Sequence, residues 1–546
     1  MTPAGFEHKR ILVVDDFENF RTTITRMLQE FGAHTVDAAV NGKDAVSRCR
    51  ASQYDLVLCD YNLGPGKSGQ QVLEQLRHDK LLTNSALFVL ISAESSKSIV
   101  MAAYDYEPDA YLTKPITAKN LQQRLERLFR QCFEMRDIYK AMDADNINGA
   151  IACCRDVIGR ESRARPLAQK LLGRLLLRSE QFDAAEKVYR QVLQGRELDW
   201  AQVGLAAAKK GQGDWVSAQQ WAEQALNNNR MFMPAYDLLS EIQGARDDSM
   251  AQQQTIAQAV EISPMSLTRQ QKLGQLAYDN HDAALATQAF KSSVKLGEHS
   301  CYDRQDVHLQ FVRSCAELAR TDPDAAKPYA RDVSRTLADF EQRFGNKNNE
   351  RVSVRSTACM YYAATGETDT AAKLLEQLME QSETVDVDLP VKLDWIVAAE
   401  SLGKQQLHDQ LVKDVLTSYE GNEKALEAID RVLENPASEK NRKRVAQVNK
   451  QGIACYEKAD YTGAVECFTR AAKEFPKHIG IELNLLQALI GSLTQGGGNS
   501  HQLEQANSVA KRLAVSVSSE HPQAARLLQL NAKLTQAAQQ FQGKEN

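Results

Sequence analysis

The chain has 546 residues, of which 43% are hydrophobic and 25% are charged, and its formal net charge is −5. This composition is ordinary for globular domains, and a chain of this length predicts several of them. The weak negative charge does not indicate binding to nucleic acid or to an anionic membrane. No apolar run approaches the ~20 residues of a membrane span. The start lacks the apolar core of a signal peptide and the cysteines lack zinc-site spacing, so we expect a cytoplasmic protein with reduced thiols.

Residues 9–131 alternate short apolar runs with amphipathic stretches. The runs predict strands over 11–14, 34–38, 55–59, 87–91 and 110–112, each short and bounded by turn residues. Apolar side chains at helical spacing predict helices over 20–31, 42–49, 70–77, 97–104 and 119–129. Five strand–helix units with apolar strands predict an α/β flavodoxin-like fold, which is a doubly wound five-stranded parallel sheet.

Four of the predicted strands end in side chains that can handle a phosphoryl group. Asp15 and Asp16 follow the first strand, Asp60 follows the third, and Ser92 and Lys114 follow the fourth and fifth. Because parallel strands place their sites at one edge of the sheet, we expect these side chains to meet there. Clustered carboxylates repel one another, and Mg²⁺, which prefers oxygen ligands, removes that repulsion. A lysine and a hydroxyl can then bind phosphoryl oxygens.

Each of these residues alone has a structural explanation, because an Asp-Asp pair often caps a helix and a Lys-Pro pair often forms a turn. Together, in this order at the strand ends, they resemble the receiver domain of bacterial two-component response regulators. The resemblance implies a phosphoacceptor (Asp60), Mg²⁺ ligands (Asp15, Asp16, Asp60 and the carbonyl of Asn62), phosphoryl contacts (Ser92 and Lys114), a switch aromatic (Tyr111) and a cis peptide bond before Pro115. The loop from Tyr61 to Gly69 is one residue longer than the common form of the family.

The remainder of the chain is predicted to be helical and repetitive. Small and aromatic residues recur at fixed offsets of 12 and 16 residues after a glycine. The matching residues are Gly173, Ala185 and Tyr189, then Gly274, Ala286 and Phe290, then Gly452, Ala464, Phe468, Ala471 and Pro476. This pattern resembles the tetratricopeptide (TPR) repeat, a helix–turn–helix of about 34 residues in which small residues let two helices approach and an aromatic ring fills the gap. Several repeats at that period predict an all-α solenoid.

The sequence predicts five segments. Residues 1–133 form the receiver, 134–148 a linker helix, 149–300 TPR repeats, 301–440 degenerate TPR-like repeats, and 441–546 a further repeat with C-terminal capping helices. Within the last segment, a single long helix is predicted from Gln502 to Gln540.

These predictions together indicate a phosphorelay response regulator that is not otherwise an enzyme. We expect a sensor histidine kinase or a phosphotransfer protein to phosphorylate Asp60 with Mg²⁺, which switches protein binding by the TPR region. The predicted relay is the face formed by helix 97–104, strand 110–112 and helix 119–129. Three alternatives stay open: a modulator that binds a kinase and competes for its phosphate, an unrecognised enzyme or scaffold in the helical region, and a DNA-binding regulator. The sequence also leaves open whether the chain forms a homodimer.

Overall fold

The computed structural model describes residues 5–93, 101, 105–160, 162–345, 347–382, 387–495, 498–519 and 521–545. The chain divides into two compact units. The first comprises Met1–Leu276 with Gln288–Val307, and the second comprises Ala277–Thr287 with His308–Asn546.

The first unit begins with a five-stranded parallel sheet. Its strands are β1 (Arg10–Val14), β2 (Thr35–Ala39), β3 (Leu56–Asp60), β4 (Leu87–Ser92) and β5 (Ala110–Thr113), in the spatial order β2-β1-β3-β4-β5. The central strands β1, β3 and β4 are almost entirely buried, as expected of a parallel sheet covered on both faces. The predicted α/β sheet is therefore confirmed, and its second and third strands lie one residue later than predicted.

Helices cover both faces of this sheet. They are α1 (Glu18–Glu30), α2 (Gly42–Ala51), α3 (Gly69–His78) and α4 (Ala118–Asp143). Because side chains alternate along a strand, Ile11 and Val13 pack with α1 and α4, whereas Leu12 and Val14 pack with α2 and α3. The helix predicted over 97–104 lies, apart from Met101, outside the described residues.

The long helix α4 continues beyond the sheet. Its N-terminal half packs on the sheet through Leu121 and Leu125, and its C-terminal half places Met135 and Ile138 in the apolar core of the helices that follow. The segment predicted as a linker helix thus contributes core side chains to the helical region.

Beyond α4 every labelled element is helical among the residues that the structure describes. The α-helices are α5 (Ile147–Gly159), α6 (Arg165–Arg178), α7 (Phe182–Leu193), α8 (Asp199–Gly211), α9 (Trp215–Asn228), α10 (Met233–Ala245), α11 (Ser249–Ile262), α12 (Leu267–Asp279), α13 (Ala283–Gly297), α14 (Gln305–Thr321), α15 (Pro323–Ala326), α16 (Ala330–Phe344), α17 (Asn348–Thr365), α18 (Thr368–Ser382), α19 (Leu389–Ser401), α20 (Gln405–Ser418), α21 (Glu423–Ile429), α22 (Glu439–Glu457), α23 (Tyr461–Glu474), α24 (Ile479–Thr494), α25 (Ser500–Ser516) and α26 (Ala524–Glu545). A short 3₁₀ helix, Lys327–Tyr329, separates α15 from α16.

The predicted single helix from Gln502 to Gln540 is wrong. The structure has two helices there, α25 and α26, with an interruption after Ser516. The sequence explains the break, because Val515, Val517 and the serines around them favour helices weakly and Pro522 lacks the N–H that an interior helical turn needs.

The glycines of the predicted repeats lie directly against the predicted aromatic rings. A Cβ atom added to Gly173 would lie 2.5 Å from Tyr189 Cζ, and one added to Gly452 would lie 2.4 Å from Phe468 Cζ. At Gly274 the distance to Phe290 Cδ1 would be 2.7 Å. Carbon atoms pack at about 3.5–4.0 Å, so these three sites accept only glycine while each ring keeps its position. The alanines of the pattern, Ala185, Ala286, Ala464 and Ala471, are fully buried, and Pro476 lies in the exposed turn before α24.

Two general features accompany this fold. All ten cysteines are free, and five of them are buried. In the part of the chain that the structure describes, none of the helices combines the length and the apolar character needed to cross a bilayer.

Candidate phosphorylation and metal site

The strand register brings the predicted residues to one edge of the sheet. Val14, which precedes Asp15, pairs with Cys59, which precedes Asp60. Asp60 pairs with Ile91, so Ser92 lies one residue beyond that pair on β4. Since all five strands are parallel, their C-terminal ends share this edge.

Three carboxylates form the centre of the site. Oxygen atoms of Asp15, Asp16 and Asp60 all lie within 4.8 Å of one another. Asp15 and Asp60 are 1% and 6% exposed, whereas Asp16 is exposed. Buried like charges at this separation are unfavourable unless a cation compensates them. An all-oxygen set with one side open to solvent suits Mg²⁺, which usually binds one or two carboxylates and keeps several waters.

The Lys114 side chain places a positive charge beside these carboxylates. Its Nζ lies 3.0 Å from Asp15 Oδ2 and 3.0 Å from Asp60 Oδ2, and it sits 4.0 Å from the centre of the Phe20 ring. Burial alone would lower the pKa of Lys114, but the hydrogen bonds to Asp60 and Asp15 outweigh it and raise that pKa. Lys114 is therefore a fixed positive charge at the acceptor carboxylate.

The electrostatics of Asp60 follow from its burial. Loss of hydration, with a smaller contribution from Asp15, outweighs the attraction of Lys114 and raises the pKa of Asp60 to about 6. The ionised form of Asp60 is thus destabilised in this environment unless further positive charge lies nearby. A bound metal ion would supply that charge, which suits a carboxylate that acts as a nucleophile.

The backbone beside Lys114 is held to the neighbouring strand. Lys114 N–H donates to Ser92 O at 2.8 Å, and the Lys114–Pro115 peptide bond is cis. Ser92 is buried at 3% exposure, and Tyr111 is partly buried against the core between the sheet and α2–α3. Ser92 and Tyr111 thus lie on the strands that carry the site, and their dynamic roles stay predictions.

Two of the predicted ligands also have structural tasks. Asp15 Oδ1 accepts a hydrogen bond from the Phe17 N–H at 2.8 Å, which fixes the turn before α1. Asn62 is exposed, and its side-chain oxygen accepts from the Gly64 N–H at 3.3 Å. The N-cap residue of α1 is Phe17 and no side chain caps this helix, so the capping explanation of the Asp-Asp pair is wrong.

Three residues that surround the site had no role in the sequence prediction. Phe20 lies beneath the Lys114 ammonium. Gly64, with φ +70°, passes close to Asp16, and a Cβ atom on Gly69 would lie 2.0 Å from the Asp60 carbonyl oxygen. Position 69 must therefore be glycine if the start of α3 is to pack on Asp60. The glycine at the end of the loop was visible in the sequence, but its close approach to Asp60 depends on the tertiary fold.

The helical region offers no second site of this kind among the described residues. The carboxylate group of Asp15, Asp16 and Asp60 is the one cluster there with metal-ligand geometry. Buried acids of the second unit are paired, as Asp394 is with Arg313 at 2.8 Å. Such pairs fix helix packing.

The comparisons with known proteins cover the N-terminal part of the chain. The model of the response regulator receiver domain matches residues 11–126. Chemotaxis protein CheY-3 of Vibrio cholerae is 28% identical over 125 residues, which are 23% of this chain and 95% of that protein. Chemotaxis protein CheY of Pseudomonas aeruginosa is 28% identical over 122 residues, which are 22% of this chain and 97% of that protein.

Solved structures match the same part. Response regulator protein TrrA of Thermotoga maritima, in complex with Mg²⁺-BeF, is 33% identical, with a TM-score of 0.20 and coverage of 22% of this chain and 98% of that one. The family match and the sequence relatives agree with the sheet and its acidic edge. Residues 11–126 are a receiver domain similar to the CheY response regulators, and a long helical region follows it.

Proposed function

We propose that this protein is a phosphorelay response regulator in which phosphorylation of Asp60 controls protein binding by a TPR solenoid. The observation that carries the proposal is the constellation at the sheet edge. A buried Asp60 lies 3.0 Å from the Lys114 ammonium and beside two further carboxylates. Phosphoryl transfer needs little beyond positioning and charge neutralisation, and this site offers both.

The residues present fit a bound Mg²⁺. Asp15, Asp16 and Asp60 would hold it through carboxylate oxygens, together with the carbonyl of Asn62. When bound, Mg²⁺ neutralises charge that develops on the transferring phosphoryl group. The same cation would lower the pKa of Asp60 from about 6, so that the acceptor stays ionised in mild acid as well as at neutral pH.

The chain's own residues then perform the transfer. An ionised Asp60 oxygen attacks the phosphorus of a phosphohistidine, an acyl phosphate forms, and the phosphorus–nitrogen bond breaks as the histidine nitrogen takes a proton. Lys114 binds one phosphoryl oxygen through its ammonium, and the Ser92 hydroxyl donates to another. The donor is a sensor histidine kinase or a phosphotransfer protein.

The helical region is the proposed output. Glycine–aromatic contacts at Gly173, Gly274 and Gly452 recur as the TPR pattern requires, which supports a solenoid of such repeats. Solenoids of this kind present an extended surface to partner segments. We place the receiver at residues 1–133 and the repeats between 149 and 546.

Phosphate uptake by the full chain tests the proposal. The chain is incubated with a labelled small-molecule phosphodonor, in Mg²⁺ or in EDTA, as wild type and as Asp60→Ala. We expect acid-stable, alkali-labile label on the wild type in Mg²⁺ only, and none on Asp60→Ala. Asp137→Ala is the matched control, because Asp137 is an exposed acid on α4 whose side chain is 66% exposed. Equal labelling of wild type and Asp60→Ala would refute the assignment.

A further inference from the structure

The start of α3 in the receiver is bonded to the segment that follows α13. Gln71 Nε2 donates to Glu298 O at 2.8 Å, and Lys67 Nζ donates to His299 O. The His78 and Tyr302 rings meet edge to face with centres 5.5 Å apart. The receiver and this segment belong to the same compact unit. We call this set of bonds the α3 contact.

A buried carboxylate lies at the centre of the α3 contact. Glu74 is 2% exposed, and it accepts a hydrogen bond from Ser300 Oγ. Burial and the nearby Glu74 also raise the pKa of the Tyr106 hydroxyl, which lies in the turn before β5. A carboxylate loses much hydration on burial, so Glu74 requires these partners from the helical region.

A second contact joins the turn before β5 to the repeats. The Arg269 guanidinium makes two bonds to Asp105, at 2.7 and 2.9 Å, and two to Asp237, at 2.8 and 3.0 Å. The Arg269 side chain is 8% exposed. Beside it, Arg174 makes a bidentate pair with Glu107. We call Asp105–Glu107 the acidic turn.

Four cations lie at or beside this second contact. Lys170 and Arg174 face Glu107, whereas Lys272 lies near Arg269 and its partner Asp237. Lys170 and Arg174 lie on α6, and Arg269 and Lys272 lie on α12; each of these helices is the first of a predicted helix pair. Burial lowers the pKa of Lys170 and of Lys272, because the nearby carboxylates only partly compensate the lost hydration. We call these four residues the basic face.

From these contacts we infer that the acidic turn is an internal ligand of the basic face, and that a partner protein with an acidic segment binds the same cations once the turn leaves. The inference rests on the proposed function, because the signal that releases the acidic turn is the phosphoryl group on Asp60. Charge complementarity defines the partner: Asp105 and Glu107 show that two acids within three residues satisfy Arg269 and Arg174.

The geometry couples the release to Asp60. Gly69, the first residue of α3, packs on the Asp60 carbonyl and donates its N–H to Tyr61 O at 2.9 Å. A phosphoryl group adds about −1.5 to −2 charges and three acceptor oxygens at Asp60. The loop between Asp60 and Gly69 borders that group, and a cavity of about 530 Å³, lined by Gly66 and Lys295 among others, gives the loop room to move. Such a movement breaks the bonds of Lys67 and Gln71.

The test measures binding of an acidic peptide to the full chain. The probe is a fluorescein-labelled peptide of glutamate, alanine and leucine, followed by anisotropy at low salt. The acidic turn is weakened by Asp105→Asn, which keeps the side-chain shape, or by Glu107→Lys, at a site that is half exposed. We expect each to raise the peptide affinity by about tenfold, which corresponds to about 1.4 kcal/mol. The control Asp137→Asn should leave it unchanged.

A charge swap keeps the test independent of folding. Arg174→Glu should abolish the gain in peptide binding, and Arg174→Glu combined with Glu107→Lys should restore docking and the weak wild-type affinity. Beryllofluoride with Mg²⁺ should raise the affinity of the wild type and not that of Asp60→Ala. If neither Asp105→Asn nor Glu107→Lys changes peptide binding, the inference is overturned. If both raise it but beryllofluoride has no effect, the internal ligand stands and phosphorylation control in the proposed function fails.

Discussion

Replacing Asp60 by asparagine should stabilise the receiver at neutral pH when divalent cations are absent. Asp60 is 6% exposed, and its pKa is raised from 3.8 to about 6. The folded state therefore binds this proton more tightly than the unfolded state. Folding stability falls as the pH rises through the interval between these two values, and the loss is complete above the higher one. Asparagine has the same shape and carries no charge, so it avoids the loss.

The magnitude follows from the two pKa values. A shift from 3.8 to about 6 corresponds to about 3 kcal/mol at about pH 7.5. At about pH 4, Asp60 is mostly protonated in the folded state, and the loss of folding stability is only about 0.6 kcal/mol. The advantage of Asp60→Asn should therefore be large at neutral pH and small in acid.

Hydrogen exchange of the β3 amides in the full chain, in EDTA, measures this difference. At about pH 7.5 these amides should exchange about a hundredfold more slowly in Asp60→Asn than in wild type, which is the factor for about 3 kcal/mol. Glu30→Gln is the control, because the Glu30 side chain is 59% exposed. Faster exchange in Asp60→Asn at neutral pH would show that the attraction of Lys114 exceeds the cost of burial, and the reasoning would be refuted.

Four further predictions concern the metal site and the packing. Asp15→Asn should weaken Mg²⁺ binding, measured by titration calorimetry, by at least about tenfold, or about 1.4 kcal/mol. In wild type, Mg²⁺ affinity should fall below about pH 6, because Asp60 takes up a proton there. Gly69→Ala should destabilise the receiver by about 1–3 kcal/mol, because the added Cβ meets the Asp60 carbonyl; thermal unfolding measures it. Phe468→Ala should cost the second unit about 3–5 kcal/mol in urea unfolding, because the ring against Gly452 is lost.

Matched variants separate these effects from general damage. Gly159→Ala is the control for Gly69→Ala, because an added Cβ at Gly159 meets no atom within 4 Å. Ile453→Ala is the control for Phe468→Ala, because Ile453 is 44% exposed. Unchanged stability in Gly69→Ala, or equal losses in Phe468→Ala and Ile453→Ala, would contradict the packing described here. An Mg²⁺ affinity that is the same in wild type and Asp15→Asn would exclude Asp15 as a ligand.

The sheet and its acidic edge could be predicted because both depend on local patterns. Short apolar runs such as Leu56–Cys59 mark buried strands, and the register of parallel strands follows from their order. The residues after those runs, Asp15, Asp60 and Lys114, then had to meet at one edge. The helical region could be predicted as helical, and its glycine–aromatic pairs at Gly173 and Gly452 touch as the spacing indicated.

The contacts between the receiver and the helical region could not be predicted in the same way. Asp105 and Arg269 are 164 residues apart, and neither lies in a motif that indicates a partner. Glu74 lies in the predicted helix 70–77, where no pattern indicated a buried carboxylate, and its burial becomes visible only with Ser300 placed against it. Pairing over such distances depends on how the helices pack on one another, which helical periodicity does not specify. The predicted relay through helix 119–129 stays a prediction, and so does the second route through the α3 contact and the acidic turn.

The location of the phosphoryl group tests the central claim most directly. The full chain is treated with a small-molecule phosphodonor and Mg²⁺, the acyl phosphate is reduced with borohydride, and the modified residue is identified by peptide mass spectrometry. The account predicts that the aspartate at position 60 alone is converted to homoserine, and that EDTA prevents the conversion. Modification at Asp15 or Asp16 in place of Asp60, or equal modification in EDTA, would contradict it.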